Sequence, residues 1–201
     1  MLVGLGLGPG NPELLTLRAV RLLKEADEVF VPGRIALDLV APYRKPVMLD
    51  FPMTDDEVRI QQCLEANAEK IAPVAEKGLA VFGILGDPNF FSTFSRLCAV
   101  IATTHPGIEY RTEPGISSIT AFAAAAGVPV NEGFTVSDGT LSDTKILLKV
   151  RRPRERAGQL RSEGYREFVL VERMFFADMK VYRNNDLPEK SDYMSVMYAR
   201  K

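Results

Sequence analysis

Hydrophobic and polar residues at the start of the chain change repeatedly from strand spacing to helix spacing. Residues 2–7 alternate glycine with leucine or valine and stop at Gly8-Pro9-Gly10. This pattern predicts a short buried strand that ends in a tight loop. Apolar residues at helical spacing predict a helix over residues 12–26. Two more strands are predicted at residues 28–31 and 46–50.

The middle of the chain contains its most hydrophobic segment. Residues 79–85 form a nearly continuous apolar run, as expected of a strand that is covered on both faces. A long helix is predicted before it, from the capping-box sequence Thr54-Asp55-Asp56-Glu57 to residues 77–78. The small residues of 116–126 indicate a closely packed helix. The other predictions for this part are a helix over 92–104 and a strand over 108–112.

The chain beyond this point is richer in predicted strands. Glu113-Pro114-Gly115 marks the predicted boundary between two domains, residues 1–113 and 114–201. The alternation of strands and helices before the boundary indicates an α/β fold. After it we predict a helix over 154–163 and strands over residues 134–137, 145–150, 168–172, 179–183 and 193–199.

Composition narrows the class of protein. The 201 residues are 46% hydrophobic, with 25 Lys+Arg against 26 Asp+Glu, which excludes an intrinsically disordered chain. No run of about 18 apolar residues predicts a membrane span. The apolar start is interrupted by glycine and lacks basic flanks, which disfavours a signal peptide and predicts a cytoplasmic protein.

Charge is distributed unevenly along the chain. Residues 144–201 carry 14 basic and 8 acidic side chains, whereas residues 1–143 carry 11 basic and 18 acidic ones. A basic region suits nucleic acid, a protein partner or a small polyanionic ligand. The basic residues are dispersed among short apolar strands without an aromatic-rich basic motif, so we do not expect a nucleic-acid partner.

Glycine-rich loops are the strongest candidate binding elements. Gly8-Pro9-Gly10 does not match a dinucleotide-binding loop, because Asn11 stands where a third glycine is needed. Gly86-Asp87-Pro88 follows the most hydrophobic strand, where ligands bind in open α/β sheets. Pro114-Gly115-Ile116-Ser117-Ser118 opens a helix whose free N–H groups are able to receive polar ligand atoms. Structural turns and ordinary helix caps remain the alternative interpretation of all three.

Catalytic side chains are harder to find. His105 is the single histidine and lies beside a turn signal, so we expect it at the surface. No Ser/His/Asp or Cys/His set and no metal-ligand spacing is recognised, and Cys63 and Cys98 are expected to be buried thiols. No catalytic residue and no metal site are assigned. The sequence therefore favours transfer of an already activated group, which needs little acid–base help.

Together, three ordered motifs resemble one known family. Residues 6–16, Gly86-Asp87-Pro88 and the segment 114–118 look like those of the S-adenosylmethionine-dependent tetrapyrrole methylases. Residues 29–32, 51–54, 86–95 and 148–150 are similar to the branch that methylates meso carbon C20 of precorrin-2 or cobalt-precorrin-2 in cobalamin biosynthesis.

The resemblance implies a fold, a cofactor and a set of site residues. It implies two α/β domains, S-adenosylmethionine in the cleft between them, a tetrapyrrole substrate and a homodimer. The cofactor contacts that it implies are Pro9, Gly86, Asp87, Phe90, Ser117, Ser118 and Leu148. Basic residues of the C-terminal part are candidates to bind substrate carboxylates, especially Lys149, Arg151, Arg152 and Arg173.

Other functions stay open at this point. A second methylase of the same family, acting on uroporphyrinogen III or on a diphthamide precursor, would carry the same cofactor motifs. A non-catalytic tetrapyrrole-binding module would keep the fold without methyl transfer. The sequence also leaves open whether the substrate contains cobalt.

Overall fold

The structure is a computed structural model that describes residues 1–136, 139 and 142–201. It divides into two compact units, Met1–Phe134 and Thr135–Lys201. This division lies further along the chain than the predicted boundary after Glu113. The reason is local, because the segment after Glu113 is hydrogen-bonded to the first unit through the backbone N–H of Gly115.

A parallel five-stranded sheet forms the centre of the first unit. Its strands are β1 (Leu2–Gly6), β2 (Glu28–Val31), β3 (Pro46–Met48), β4 (Ala80–Ile84) and β5 (Tyr110–Glu113). Its helices are α1 (Leu17–Glu25), α2 (Arg34–Val40), α3 (Glu57–Lys77), α4 (Phe94–Thr104) and α5 (Ser118–Ala126). The strand order is β3-β2-β4-β1-β5, and every pair is parallel. The carboxyl ends of all five strands therefore lie at one edge.

Hydrophobic side chains are buried on both faces of this sheet. One cluster joins Phe30 and Phe82 to α3 and α4, and the other joins Leu5 and Val81 to α1 and α2. Successive strand residues point to opposite faces, which explains the two clusters. Every residue of β4 is buried, which confirms the prediction of a strand covered on both faces.

Side-chain caps fix where two helices of the first unit begin. The helix predicted over 12–26 is divided into a 3-10 turn and α1, whose N-cap Thr16 accepts a hydrogen bond from Ala19 N at 3.0 Å. Helix α3 begins near the predicted position, but its cap is Asp56, whose Oδ1 accepts from Val58 N at 3.0 Å. The predicted capping box is therefore wrong, since Thr54 is not the cap.

Helix α2 is not predicted by the sequence. It has seven residues and no side-chain cap, so the sequence contains neither a long helical repeat nor a capping residue that would predict it. Ala36, Leu39 and Val40 are buried against the first sheet, at spacings of three and four residues. Packing of this buried face therefore stabilises the helix without a cap.

An antiparallel sheet forms the second unit. Its strands are β6 (Thr144–Leu148), β7 (Glu167–Glu172), β8 (Lys180–Arg183) and β9 (Ser195–Arg200), and its helix is α6 (Pro153–Ser162). The order is β6-β9-β7-β8. Both β6 and β7 are antiparallel to β9, so they run in the same direction. Their carboxyl ends lie at the edge where β9 begins.

One face of the second sheet is buried under α6. Phe168 and Leu170 of β7 alternate with more exposed residues, and they pack with Met197 of β9 and Leu160 of α6. Alternation of this kind is typical of an antiparallel sheet with one covered face. The predicted α/β fold class is confirmed.

Two predictions around the boundary are wrong. Residues 134–136 are not in a strand, and Ser137 of that predicted strand lies outside the described residues. Helix α5 forms, but none of its residues is buried, so it is not closely packed. Small side chains permit close packing without requiring it. Among the helices of the described residues, none is both long and apolar enough to cross a membrane.

Candidate functional site

Three loops leave the first sheet at the carboxyl ends of adjacent strands. Strand β1 lies between β4 and β5, so the loops that follow these strands are neighbours. We call residues 7–10 loop 1, residues 85–93 loop 2 and residues 114–117 loop 3. Ligands of open α/β sheets bind at this edge. The three loops are therefore the candidate site of the first unit.

Backbone hydrogen bonds join loop 1 to loop 2. Gly8 N donates to Gly86 O at 3.3 Å, and Gly86 N donates to Gly8 O at 2.7 Å. The φ angles of the two glycines are 73° and 71°, which side chains of L-residues rarely allow. A Cβ atom on Gly86 would meet no atom within 4 Å, so the backbone of loop 2 is open to a ligand there.

Loop 3 lies against the end of β1 and against loop 2 without intervening side chains. A Cβ atom on Gly6, the last residue of β1, would collide with Gly115 N and would lie 2.7 Å from Gly86 O. A Cβ atom on Gly115 would collide with Gly86 O in the same way. Glycine is therefore required at positions 6 and 115 because three backbones meet there.

Asp87 ties loop 2 to loop 3. Its side chain is buried, with the residue only 7% exposed. Oδ2 accepts a hydrogen bond from Gly115 N at 3.2 Å, and Oδ1 accepts one from Asn89 N at 2.9 Å. Asp87 does not cap α4, since the N-cap of that helix is Thr93. Its carboxylate therefore sets the distance between the loops.

A pocket of about 810 Å³ opens beside loop 1 and α5. Pro9 and Leu14 lie on one side, and Ile116, Ser118 and Phe122 lie on the other. Volumes of roughly 300–1,000 Å³ are usual for small-molecule sites, which are mostly apolar with a few polar groups. The pocket has both the size and the lining for an organic cofactor.

The structure brings together some of the predicted site residues and separates others. Pro9 and Ser118 line the pocket. Ser117 is the N-cap of α5 and accepts a hydrogen bond from Ile119 N at 3.2 Å, which is the ordinary capping role. Phe90 is exposed in loop 2 and does not line the pocket. His105 lies before β5 at the opposite edge of the sheet, with Nε2 3.1 Å from Glu69.

Sequence reasoning missed the buried carboxylate of Glu113 at the end of β5. It is paired with Arg18 Nη1 at 3.1 Å and with Arg111. Glu113 is 7% exposed and directly precedes loop 3. Arg111 and Glu113 share one face of the strand by their two-residue spacing, which was the available signal. The pairings hold β5 at the start of loop 3.

The remaining predicted residues belong to the second unit. Leu148 ends β6 and is 67% exposed. Lys149 Nζ and Arg151 Cζ each lie 5.3 Å from the ring centroid of Tyr193. In the part of the chain that the structure describes, neither Lys149 nor Arg151 forms an ion pair with a carboxylate. Tyr193 is more than forty residues away in sequence, so no local pattern pointed to it.

The two other basic candidates from the sequence, Arg152 and Arg173, are paired with acids. Arg152 Nη1 lies 3.3 Å from Glu155, and Arg173 Nε lies 2.8 Å from Asp178. The hydrogen bond from Arg173 holds the pKa of the Asp178 carboxyl below its usual range, and the pKa of Arg173 is raised. Among the described residues, Arg152 and Arg173 therefore have carboxylate partners, whereas Lys149 and Arg151 do not. Among the described residues, no group of three His, Cys, Asp or Glu side chains is placed to hold a metal ion.

Sequence comparison identifies the family to which these loops belong. A family model described as "Tetrapyrrole (Corrin/Porphyrin) Methylases" matches residues 1–183. The chain belongs to the tetrapyrrole methylases. The predicted resemblance is confirmed, and the three loops are the motifs on which that prediction rested.

Two relatives of this tetrapyrrole methylase are similar over nearly its whole length. A probable cobalt-precorrin-2 C(20)-methyltransferase of Methanocaldococcus jannaschii is 30% identical over 226 residues, covering 98% of this chain and 95% of the relative. A precorrin-2 C(20)-methyltransferase of a Sinorhizobium species is 30% identical, covering 95% and 89%. The first alignment is longer than the 201 residues here, so this methylase lacks residues that the relative has.

Solved structures share the fold of this methylase. The methyltransferase CobJ superposes with a TM-score of 0.51 at 23% identity, covering 100% of this chain and 93% of that chain. A putative cobalamin synthesis related protein, CobF of Corynebacterium diphtheriae, gives 0.53 at 14% identity, covering 100% and 98%. These similarities support the fold.

The contact between loops 2 and 3 is tested by adding one methyl group. Gly115→Ala should lower the free energy of unfolding by about 1–3 kcal/mol, because the new Cβ collides with backbone on two sides. Gly107→Ala is the matched control, since a Cβ there meets nothing within 4 Å. Thermal unfolding measures both variants. Equal unfolding temperatures for the two would contradict the close approach.

Proposed function

We propose that this methylase transfers the methyl group of S-adenosylmethionine to meso carbon C20 of precorrin-2 or cobalt-precorrin-2. The observation that carries the proposal is the 30% identity, over 98% of the chain, to a relative named for this reaction. A second relative with the same regiochemistry in its name supports it. The product belongs to the corrin branch of tetrapyrrole synthesis.

The first unit supplies most of the cofactor contacts in this proposal. The pocket beside Pro9 and Ser118 has room for the cofactor, and no side chain covers the backbone of loop 2 at Gly86, so a ligand is able to approach that backbone closely. Asp87 holds loop 3 in place by accepting a hydrogen bond from Gly115 N, and Ser117 does so by capping α5. Phe90 and Leu148 complete the proposed set, which keeps the contacts that the resemblance implies.

The chemistry requires alignment more than acid–base catalysis. Bound S-adenosylmethionine supplies an electrophilic methyl group on a sulfonium. A reduced tetrapyrrole presents an enamine-like, nucleophilic meso carbon, so holding the two reactants in line supplies much of the rate. The close-packed backbone of the three loops is suited to this role, because it offers a rigid surface.

The substrate carboxylates are bound by Lys149 and Arg151 in this proposal. Acetate and propionate side chains surround the macrocycle and need cations that are not already neutralised. The guanidinium of Arg151 offers two parallel N–H donors to a carboxylate, and the ammonium of Lys149 acts as a point charge. Both side chains are exposed and lie together over Tyr193.

We further propose that two copies of this chain associate. Large apolar side chains after α5 are exposed, among them Val128 at 44%, Val130 at 52% and Phe134 at 64%. Monomeric proteins rarely expose a large contiguous apolar patch. A homodimer would cover this segment. The cytoplasmic location stays a prediction.

The position of the new methyl group is the sharpest test of the function. Enzyme supplied with a ¹³C-methyl donor should place a single label at C20 of the precorrin-2 macrocycle, and carbon NMR of the product reads its position. Transfer of the label to uroporphyrinogen III and not to precorrin-2 would favour a uroporphyrinogen III type of methylase. Such a relative, from Methanobacterium ivanovii, is 30% identical over 72% of this chain.

The role of Asp87 is tested by Asp87→Asn. Because the amide has a single oxygen, only one of the two hydrogen bonds from Gly115 N and Asn89 N is kept, and hydrogen bonds to charged groups contribute about 1.5–3 kcal/mol. Calorimetry should show S-adenosylhomocysteine bound more than about tenfold more weakly. Asp38→Asn is the control, because it breaks only an exposed ion pair with Arg34. Unchanged affinity in Asp87→Asn would remove this residue from the site.

The carboxylate-binding role predicts a selective change in kinetics. Lys149→Met and Arg151→Met should each raise the KM for the tetrapyrrole and leave the KM for S-adenosylmethionine unchanged, because uniform substrate binding is lost. Lys190→Met and Arg156→Met are matched controls on exposed positions of the same unit. An unchanged tetrapyrrole KM in the Lys149/Arg151 double variant would place both cations outside the substrate site.

A further inference from the structure

Two cations share one aromatic ring at the edge of the second sheet where β6 and β7 end and β9 begins. Lys149 Nζ and Arg151 Cζ lie 5.3 Å from the centroid of the Tyr193 ring. Cations within about 6 Å of a ring centroid are attracted by the ring quadrupole. Tyr193 lies two residues before β9, so its ring holds both cations at the carboxyl end of β6.

Backbone strain is concentrated at the same edge. Lys149 follows β6 with a φ of 57°, and Arg173 follows β7 with a φ of 49°. Phe175, two residues further on, has a φ of 62°. Positive φ is uncommon for residues other than glycine, and such conformations cluster at ligand-binding and active sites. Of the five residues other than glycine with positive φ in the described part of the chain, three lie at this sheet edge, which makes the edge a candidate ligand site.

The aromatic ring positions the cations without neutralising them. Lys145, four residues before Lys149, illustrates the alternative, because its Nζ lies 2.7 Å from a Glu163 carboxylate oxygen. A carboxylate partner of that kind would compete with an anionic ligand. The π face of Tyr193 fixes the cations and leaves their charge available to an incoming carboxylate.

Exposed apolar side chains lie at the same edge of the sheet as the cations. Leu148 is 67% exposed, Met194 is 49% exposed and Met179 is 45% exposed, while Tyr193 itself is 50% exposed. Exposed apolar surface beside fixed cations matches a ligand with a flat hydrophobic body and acidic arms. A tetrapyrrole with acetate and propionate side chains has this chemistry.

We propose that Tyr193 is the positioning residue that orients Lys149 and Arg151 for the carboxylates of the tetrapyrrole. The inference rests on the proposed function and deepens it, since it names an aromatic residue that acts on the substrate through two cations. The cations contact the aromatic ring of Tyr193. A phenylalanine at this position should therefore retain substrate binding, and a leucine should not.

Steady-state kinetics of three variants test the inference. Tyr193→Leu should raise the tetrapyrrole KM about tenfold, with kcat and the KM for S-adenosylmethionine close to wild type. Tyr193→Phe keeps the ring and should keep a tetrapyrrole KM near that of wild type. Tyr110→Leu is the matched control, because Tyr110 is equally exposed, at 49%, and lies in the first unit. Circular dichroism of each variant reports folding.

A double-mutant cycle tests whether Tyr193 acts through the cations. In the Lys149→Met/Arg151→Met background, Tyr193→Leu should cause no further rise in the tetrapyrrole KM. A further rise of the same size would overturn the positioning role, as would an unchanged KM in Tyr193→Leu alone. A loss in Tyr193→Phe equal to that in Tyr193→Leu would assign the effect to the hydroxyl and would also overturn the proposal.

Failure of the Tyr193 role and failure of the proposed function give different experimental results. If the wild-type enzyme methylates no reduced tetrapyrrole, the proposed function fails. The Tyr193 inference is then tested by equilibrium binding of uroporphyrin III, which carries the same class of acidic arms. Tighter binding by wild type and Tyr193→Phe than by Tyr193→Leu supports it, and equal binding by all three overturns it.

Discussion

The candidate site depends on the close approach of three backbones at the carboxyl edge of the first sheet. Gly6 and Gly115 have no room for a side chain, because the loops after β1, β4 and β5 meet there. The Asp87 carboxylate and the paired hydrogen bonds between Gly8 and Gly86 hold this arrangement. A surface built from backbone is rigid and offers N–H and C=O groups at fixed positions, which suits the alignment of an activated methyl donor.

The two units contribute different chemistry. The first unit has a mostly apolar pocket beside loop 1 and α5. Its polar side chains near this pocket mainly cap α5 and connect loop 2 to loop 3. The second unit carries cations at the edge of an antiparallel sheet, held by an aromatic ring. The uneven distribution of charge along the sequence reflects this division, because the basic part of the chain is the part that would bind a polyanionic substrate.

Sequence patterns predicted most of the strands and helices but not all of their packing. Strand β4 was clear because a continuous apolar run has few alternatives, and Gly86-Asp87-Pro88 was correctly placed at its end. Helix α2 was not predicted, since it is short and uncapped. The predicted close packing of α5 is wrong. Small side chains permit a close neighbour, whereas burial requires that a neighbour is present.

The sequence by itself determined the alternation of strands and helices, the order of the three loops and the family, because these follow from local spacing and from motifs. Only the tertiary structure decided that Asp87 connects two loops and that Tyr193 lies under Lys149 and Arg151. These contacts join residues that are distant in sequence. Their partners are brought together by strand order and register, which no local pattern encodes.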